Sequence, residues 1–144
     1  TYGAVMGVFL AQKINNKPLT IVGNGNQKRD FTYVSDVVEA IIKSAKSNVK
    51  KQIFNIGSGK SISINYLAKL IGGKKIYIPK RPGEPDVTFA KIDKIQSILK
   101  WKPKIKIEKG VQKLINQIKF WQDAPIWTEQ KIKKVTKNWF KYLK

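Results

Sequence analysis

Hydrophobic positions along the chain switch between a helical and an extended period, and Gly, Pro and Asn mark most of the switches. Residues 4 to 16 place Val5, Val8, Phe9 and Ala11 on or near one face, which predicts a helix that Pro18 stops. Leu19-Thr20-Ile21-Val22 then reads as a strand, and Phe31 to Val34 as a second short one. Ser35 to Ser47 is predicted to be a helix with Val37, Val38, Ala40, Ile41 and Ile42 toward the core and Lys43 and Lys46 outward. Gln52 to Ile56 is a short, mostly apolar strand of the kind buried in a parallel sheet. On this spacing Tyr33, Val34, Val37, Ile41 and Phe54 are expected to be buried together.

Beyond residue 60 the same reading continues. Ser63 should cap a helix to Ile71, with Ile64, Leu67 and Leu70 or Ile71 inward and Gly72-Gly73 ending it. Lys75 to Ile78 alternates as a strand does, and Pro79 to Asp86 is too rich in proline for a helix, so its conformation is largely fixed in advance. Helices follow around Asp93 to Leu99, from Glu108 to Trp121, and from Thr128 to Tyr142. The last carries Ile132, Val135, Trp139, Phe140 and Leu143 on one face and lysines around the other. An interfacial membrane helix has that pattern too, but docking on its own domain through Trp139 and Phe140 is the preferred reading. The order predicts an α/β fold of two to four short strands flanked by helices.

Composition narrows the chemistry. The 144 residues suit one domain that could bury about two-thirds of its unfolded surface. There is no Cys and no His, which removes disulfides, thiolate chemistry and the commonest general base and metal ligand. No apolar run approaches the roughly 18 to 20 residues that span a bilayer, and a cytoplasmic protein is expected. The chain starts at Thr1 and its only Met is Met6, so it is expected to be a piece of something longer. A net charge of +20 would suit nucleic acid or an anionic surface, which is the alternative function. The charge is spread along the chain, however, and that alternative needs exposed aromatics among clustered cations. Burial of Trp101, Trp121, Trp127 and Trp139 would argue against it.

One stretch organises the rest: a strand ending at Val22, a loop with Gly23 and Gly25, then Arg29, then a helix opened by Ser35-Asp36. Of the 29 basic residues only two are Arg, at 29 and 81, and both lie in loops rich in glycine or proline. A chain that writes Lys wherever charge alone is needed reserves Arg for sites wanting a planar, bidentate fork, as phosphate and carboxylate do. Gly57-Ser58-Gly59-Lys60-Ser61 mimics the end of a triphosphate-binding loop, but the full motif would need Gly where Phe54 stands.

These residues carry a resemblance. Arg29-Asp30-Phe31-Thr32-Tyr33-Val34-Ser35-Asp36-Val37 matches throughout the pattern Arg-Asp-X-X-(Tyr/His)-Val-X-Asp-Val of the extended short-chain dehydrogenase/reductases that act on nucleotide sugars, the NAD-dependent epimerase/dehydratase family. Phe54-Asn55-Ile56-Gly57-Ser58-Gly59, Arg81-Pro82-Gly83-Glu84 and Ile98-Leu99-Lys100-Trp101-Lys102-Pro103 follow in the family's order, so the resemblance covers nearly the whole chain. It implies the C-terminal substrate-binding part of such an enzyme, with the main Rossmann nucleotide-binding half absent. No Gly-X-Gly-X-X-Gly and no Tyr-X-X-X-Lys occurs here, so the resemblance assigns catalysis and NAD to a missing N-terminal half.

What remains is a clamp for a nucleoside-diphosphate sugar, a uridine-diphosphate sugar epimerase being the preferred member. By resemblance, Thr20 and Val22 would flank the nucleobase, Arg29 and Arg81 would converge on the diphosphate, and Glu84 would accept from ribose hydroxyls. Asp30 is assigned to backbone support, Asp36 to helix capping, and Asn55 to a bond with the backbone. Ala90-Lys91 departs from the Ala-Asp that family members often show. The resemblance implies neither a nucleic-acid nor a membrane partner, and a homodimer of the full-length parent is compatible with it.

Overall fold

The computed structural model describes residues 4–142, which divide into two compact units. The first takes residues 4–27, Ser63–Asp86 and 111–142; the second takes Lys28–Ile62 and Val87–Gly110. The chain runs α1 (Val5–Ile14), β1 (Leu19–Val22), β2 (Lys28–Arg29), α2 (Val34–Lys46), β3 (Ile62–Ser63), α3 (Ile64–Ile71), β4 (Lys75–Ile78), α4 (Asp93–Leu99), α5 (Ile107–Asn116), a 3-10 turn (Ile118–Trp121) and α6 (Glu129–Tyr142). Four short strands among helices is the α/β architecture the sequence predicts.

In the first unit β1 and β4 pair in parallel, with Leu19 opposite Lys75 and Val22 opposite Ile78. Every residue of β1 is buried, as expected of a parallel strand covered on both faces. Helices α1 and α3 pack against it. Buried on these helices are Val8, Phe9, Leu10 and Ala11 of α1 and Ile64, Leu67, Ala68 and Ile71 of α3. Their ends follow the sequence. Asn16 takes a left-handed φ of 52° just after α1, and the Ser63 hydroxyl accepts from the Tyr66 amide at 3.1 Å to cap α3, which Gly72 closes at φ 75°.

The second unit has a thinner core: Ala40, Ile92, Ile95 and Trp101, with Phe54, Ile56, Ala90 and Leu99 packed against them. Two carboxylates do much of its organising. Asp30 accepts from the amides of Ser58 (2.8 Å), Gly59 (3.1 Å) and Ala90 (3.2 Å). Buried Asp36 accepts from the amides of Lys104 (3.1 Å) and Ile105 (2.9 Å), while its own carbonyl accepts from the Trp101 indole at 3.1 Å.

Several expectations need correction. The short strand near Arg29 is Lys28–Arg29, not Phe31 to Val34. Residues 30–33 are fixed by the side-chain bonds of Asp30 rather than by a ladder, and α2 starts at Val34 with Tyr33 as its N-cap. Asp36 therefore sits inside the first turn and is not the cap; it serves a distant loop instead. Gln52 to Ile56 carries no strand, since a strand exists only with a hydrogen-bonded partner, and Ile53 is 85% exposed. Of the five residues expected to be buried together, Val34 and Ile41 are exposed and Tyr33, Val37 and Phe54 only half-buried. Helix α2 turns Asp36 and Ala40 inward and leaves Val38, Ile41 and Ile42 out. The helix expected from Glu108 to Trp121 is α5, beginning at Ile107, followed by a 3-10 turn in which Phe120 bonds back to Gln117. Leu143, placed on the apolar face of α6, lies outside the described residues.

Candidate functional site

Arg81 lies in the loop after β4 and is far from a free surface cation. Its guanidinium Nη2 meets Glu84 Oε1 at 2.6 Å, with both side chains largely enclosed. Three residues apart, the two are held in one tight turn by Pro82, which fixes φ, and Gly83, which adopts a φ of 76° that other residues rarely accept. The guanidinium carbon also stands 5.4 Å from the centroid of the Trp139 ring on α6. The indole N–H of Trp139 donates to the Pro82 carbonyl at 2.7 Å. Beside this group opens a cavity of about 340 Å³, lined by Ile78, Pro79 and Arg81 on one side and by α6 on the other, where Lys133 and Lys137 stand with one acid, Glu129. Its walls are apolar and its charges mostly positive, a fit for an anionic group carrying a flat apolar body.

Thr20 and Val22 belong to the same unit but show solvent almost nothing, at 2% and 6% exposure. The buried Gln12 side chain brackets Thr20: its amide nitrogen donates to the hydroxyl at 2.8 Å and its oxygen accepts from the Thr20 amide at 3.1 Å. The same nitrogen reaches the Trp127 carbonyl at 2.6 Å. Val22 packs with Ile78, Ile132 and Trp127. Arg29, in the second unit, is half-buried and donates from Nη1 to the Lys28 carbonyl at 2.8 Å.

The two glycine loops turn out to be packing devices. Asn65 donates to the Asn24 carbonyl at 2.9 Å, and a Cβ on Gly25 would collide with its amide. The Gly57-Ser58-Gly59 turn points two amides at an anion, as a phosphate loop would, but the anion is Asp30. A Cβ on Gly57 would strike Asp30 and Ala90, so the turn closes on its own chain. Asp30 is thus the backbone support expected of it. Asn55 donates to the Lys91 carbonyl at 3.4 Å, a backbone contact that the Lys91 side chain does not enter.

Sequence reasoning missed Gln12 and Asn65, and, though it expected Trp139 to dock the last helix, it missed that the partner is the Arg81 turn. Gln12 follows a run of apolar residues on the face of α1 that faces β1, and a lone amide there was the available signal. Trp101 is 1% exposed in the core of the second unit and Trp121 and Trp127 are half-buried, which takes Trp101 out of any stacking surface. Helix α6 docks chiefly through Ile132 and Thr136, whereas Trp139 and Phe140 remain 38% and 40% exposed.

A protein-family model described as GDP-mannose 4,6 dehydratase matches residues 4–114. The chain belongs to the NAD-dependent epimerase/dehydratase family. This family member is 37% identical over 121 residues to a putative UDP-glucose 4-epimerase of Methanocaldococcus jannaschii, a match spanning 80% of this chain and 39% of that protein. Its fold is similar to the UDP-glucose 4-epimerase of Thermotoga maritima crystallised with UDP-glucose, with a TM-score of 0.75, 29% identity and coverage of 83% of this chain and 41% of the other. The UDP-glucuronic acid 4-epimerase of Bacillus cereus, in complex with UDP-glucuronic acid and NAD, gives a TM-score of 0.73 at 29% identity, over 81% of this chain and 40% of that one. The chain thus spans about two-fifths of the length of these relatives.

The described residues fit no dinucleotide. Among the described residues, the only strand entering a glycine loop of Gly-X-Gly form is β1, and that loop leads into β2 rather than into a helix whose N-terminus could face a pyrophosphate. No helix among the described residues is long and apolar enough to cross a membrane, and no group of three or more metal-ligating side chains occurs among them.

Proposed function

We propose that this chain is the nucleotide-sugar-binding part of a cytoplasmic NAD-dependent epimerase or dehydratase, with a uridine-diphosphate sugar epimerase as the preferred member. The observation that carries the reading is the Arg81–Glu84 pair, held by a proline-locked turn at the edge of an apolar, cation-lined cavity. One fork of in-plane donors and one carboxylate side by side match a phosphate next to a ribose diol. Arg81 grips the diphosphate and Glu84 accepts from the ribose; Arg29 is the second unit's own candidate phosphate ligand. Because Gln12 and Trp127 enclose the side chains of Thr20 and Val22, any nucleobase contact there falls to the backbone at the end of β1.

The enzyme as a whole would extend beyond this chain. The relatives are more than twice as long, and α2 leaves Val34, Val38, Ile41 and Ile42 uncovered at the spacing of one helix face. NAD would supply hydride acceptance in that parent, and the residues described would bind and orient the substrate. In the full-length protein, Arg29→Lys and Arg81→Lys keep the charge but lose the fork, so each should weaken substrate binding by about 1–3 kcal/mol. Calorimetry with UDP-glucose and UDP-glucuronic acid measures this, and product analysis separates epimerase from dehydratase or decarboxylase. An unchanged Kd in both variants would refute the clamp.

A further inference from the structure

The family match ends at residue 114, so α6 lies outside it, yet α6 touches the Arg81 turn twice through Trp139. We infer that Trp139 is a positioning residue of the anion site: it fixes the Arg81 guanidinium from above and the Pro82 backbone from the side. The inference rests on the reading of Arg81 as a diphosphate ligand.

Three observations carry it. The Arg81 guanidinium carbon stands 5.4 Å from the Trp139 ring centroid, within the roughly 6 Å at which a cation is attracted to a ring face. A cation–ring contact draws on the charge of the guanidinium and uses none of its N–H donors. Glu84 takes one of them at 2.6 Å, and in doing so orients the plane. The indole bond to the Pro82 carbonyl, 2.7 Å, then ties the turn itself to α6, so that guanidinium and backbone cannot drift apart. A ring face beside the guanidinium restricts its rotation before a ligand arrives, and ordering a long side chain in advance lowers the cost of binding.

Helix α6 is itself anchored for this task. Ile132 and Thr136 are buried two turns and one turn before Trp139, and the Thr136 hydroxyl donates to the Ile132 carbonyl at 2.8 Å. Lys133 and Lys137 stand on the same cavity wall and add positive field where an anion would enter.

The test uses the full-length protein with UDP as probe, dTDP and GDP run beside it, and calorimetry as the readout. Trp139→Ala is expected to raise Kd five- to twentyfold. Trp139→Phe, which keeps an aromatic ring but loses the N–H donor and the fused five-membered ring, should raise it two- to threefold and guards against a folding defect in the alanine variant. With Arg81 already changed to Gln, adding Trp139→Ala should change Kd by less than twofold, because a positioning residue has nothing left to position. In turnover the effect should fall on KM with kcat held. A Kd for Trp139→Ala within twofold of the parent, or tighter binding as a lid would give, overturns the inference. So does a double variant in which the two losses multiply. If Arg81→Gln itself leaves Kd unchanged for all three nucleotides, the diphosphate reading falls, and the inference with it.

Discussion

The two units solve the same problem by different means. Residues 4–27, Ser63–Asp86 and 111–142 enclose fully buried Phe9, Leu10, Leu19, Ile21 and Leu67, so that β1 is buried along its whole length. Each such side chain contributes about 1.5–3 kcal/mol on leaving water. Lys28–Ile62 with Val87–Gly110 buries only Ala40, Ile92, Ile95 and Trp101, and leaves Val34, Val38, Ile41 and Ile42 of α2 in solvent. Its loops are held instead by Asp30 and Asp36, which between them accept from five backbone amides. Where apolar side chains face outward, backbone donors gathered onto a carboxylate replace part of the missing core.

The sharpest way to break that contrast is to remove one apolar side chain from each unit. Phe9→Ala should cost about 3–5 kcal/mol, since a fully buried ring leaves a cavity as well as losing its transfer energy. Ile41→Ala should stay within about 0.5 kcal/mol, because the side chain is 58% exposed and packs little. Urea denaturation of the 144-residue chain measures both. Comparable losses would mean that the second unit is held by its apolar face after all.

A second substitution addresses the carboxylate side of the comparison. Asp30→Ala removes the acceptor for the amides of Ser58, Gly59 and Ala90. Bonds to a charged acceptor contribute about 1.5–3 kcal/mol each, and orphaned donors partly regain water, so a loss of about 3 kcal/mol is expected. Hydrogen exchange is the discriminating measurement. Those three amides should lose protection while Thr20 and Ile21 in β1 keep theirs. Equal loss in both places would show that the two units unfold as one.

The sequence made the first unit more legible than the second, and the same contrast explains why. Strands β1 and β4 and helices α1 and α3 are set by local signals: a buried β-branched run, a Ser63 cap, a glycine stop and a helix-ending Pro18. In the second unit, hydrophobic spacing pointed the α2 face inward, and the structure turns Asp36 inward instead, because Lys104 and Ile105, far along the chain, need an acceptor. No local pattern encodes that pairing. Gln52 to Ile56 failed for a related reason: composition can propose a strand but cannot supply the neighbour that makes it one. For the site, the scarcity of arginine singled out Arg81 and the proline loop gave its rigidity, whereas Trp139 looked like one more residue of an amphipathic helix.

The smallest effect tests whether ordinary ion pairs contribute to the second unit in the way that Asp30 and Asp36 do. Glu39 on α2 meets Lys104 at 2.7 Å and Lys43, one turn along, at 4.0 Å. The Lys104 side chain is 61% exposed, so the pair interacts through water and holds a long side chain at an entropic cost. Glu39→Gln should therefore cost only about 0.2–1 kcal/mol at low salt. Removing one acid from a chain of net charge +20 also leaves Lys43 and Lys104 repelling each other without a shared counter-charge. Both contributions are screened, with a Debye length of about 3 Å at 1 M salt, so the difference between variant and parent should vanish there. The Asp30→Ala loss should persist at the same salt, because its bonds to backbone amides are short and sheltered. A Glu39→Gln loss of 2 kcal/mol or more that survives about 1 M salt would place Glu39 with the two organising carboxylates and remove the distinction between them.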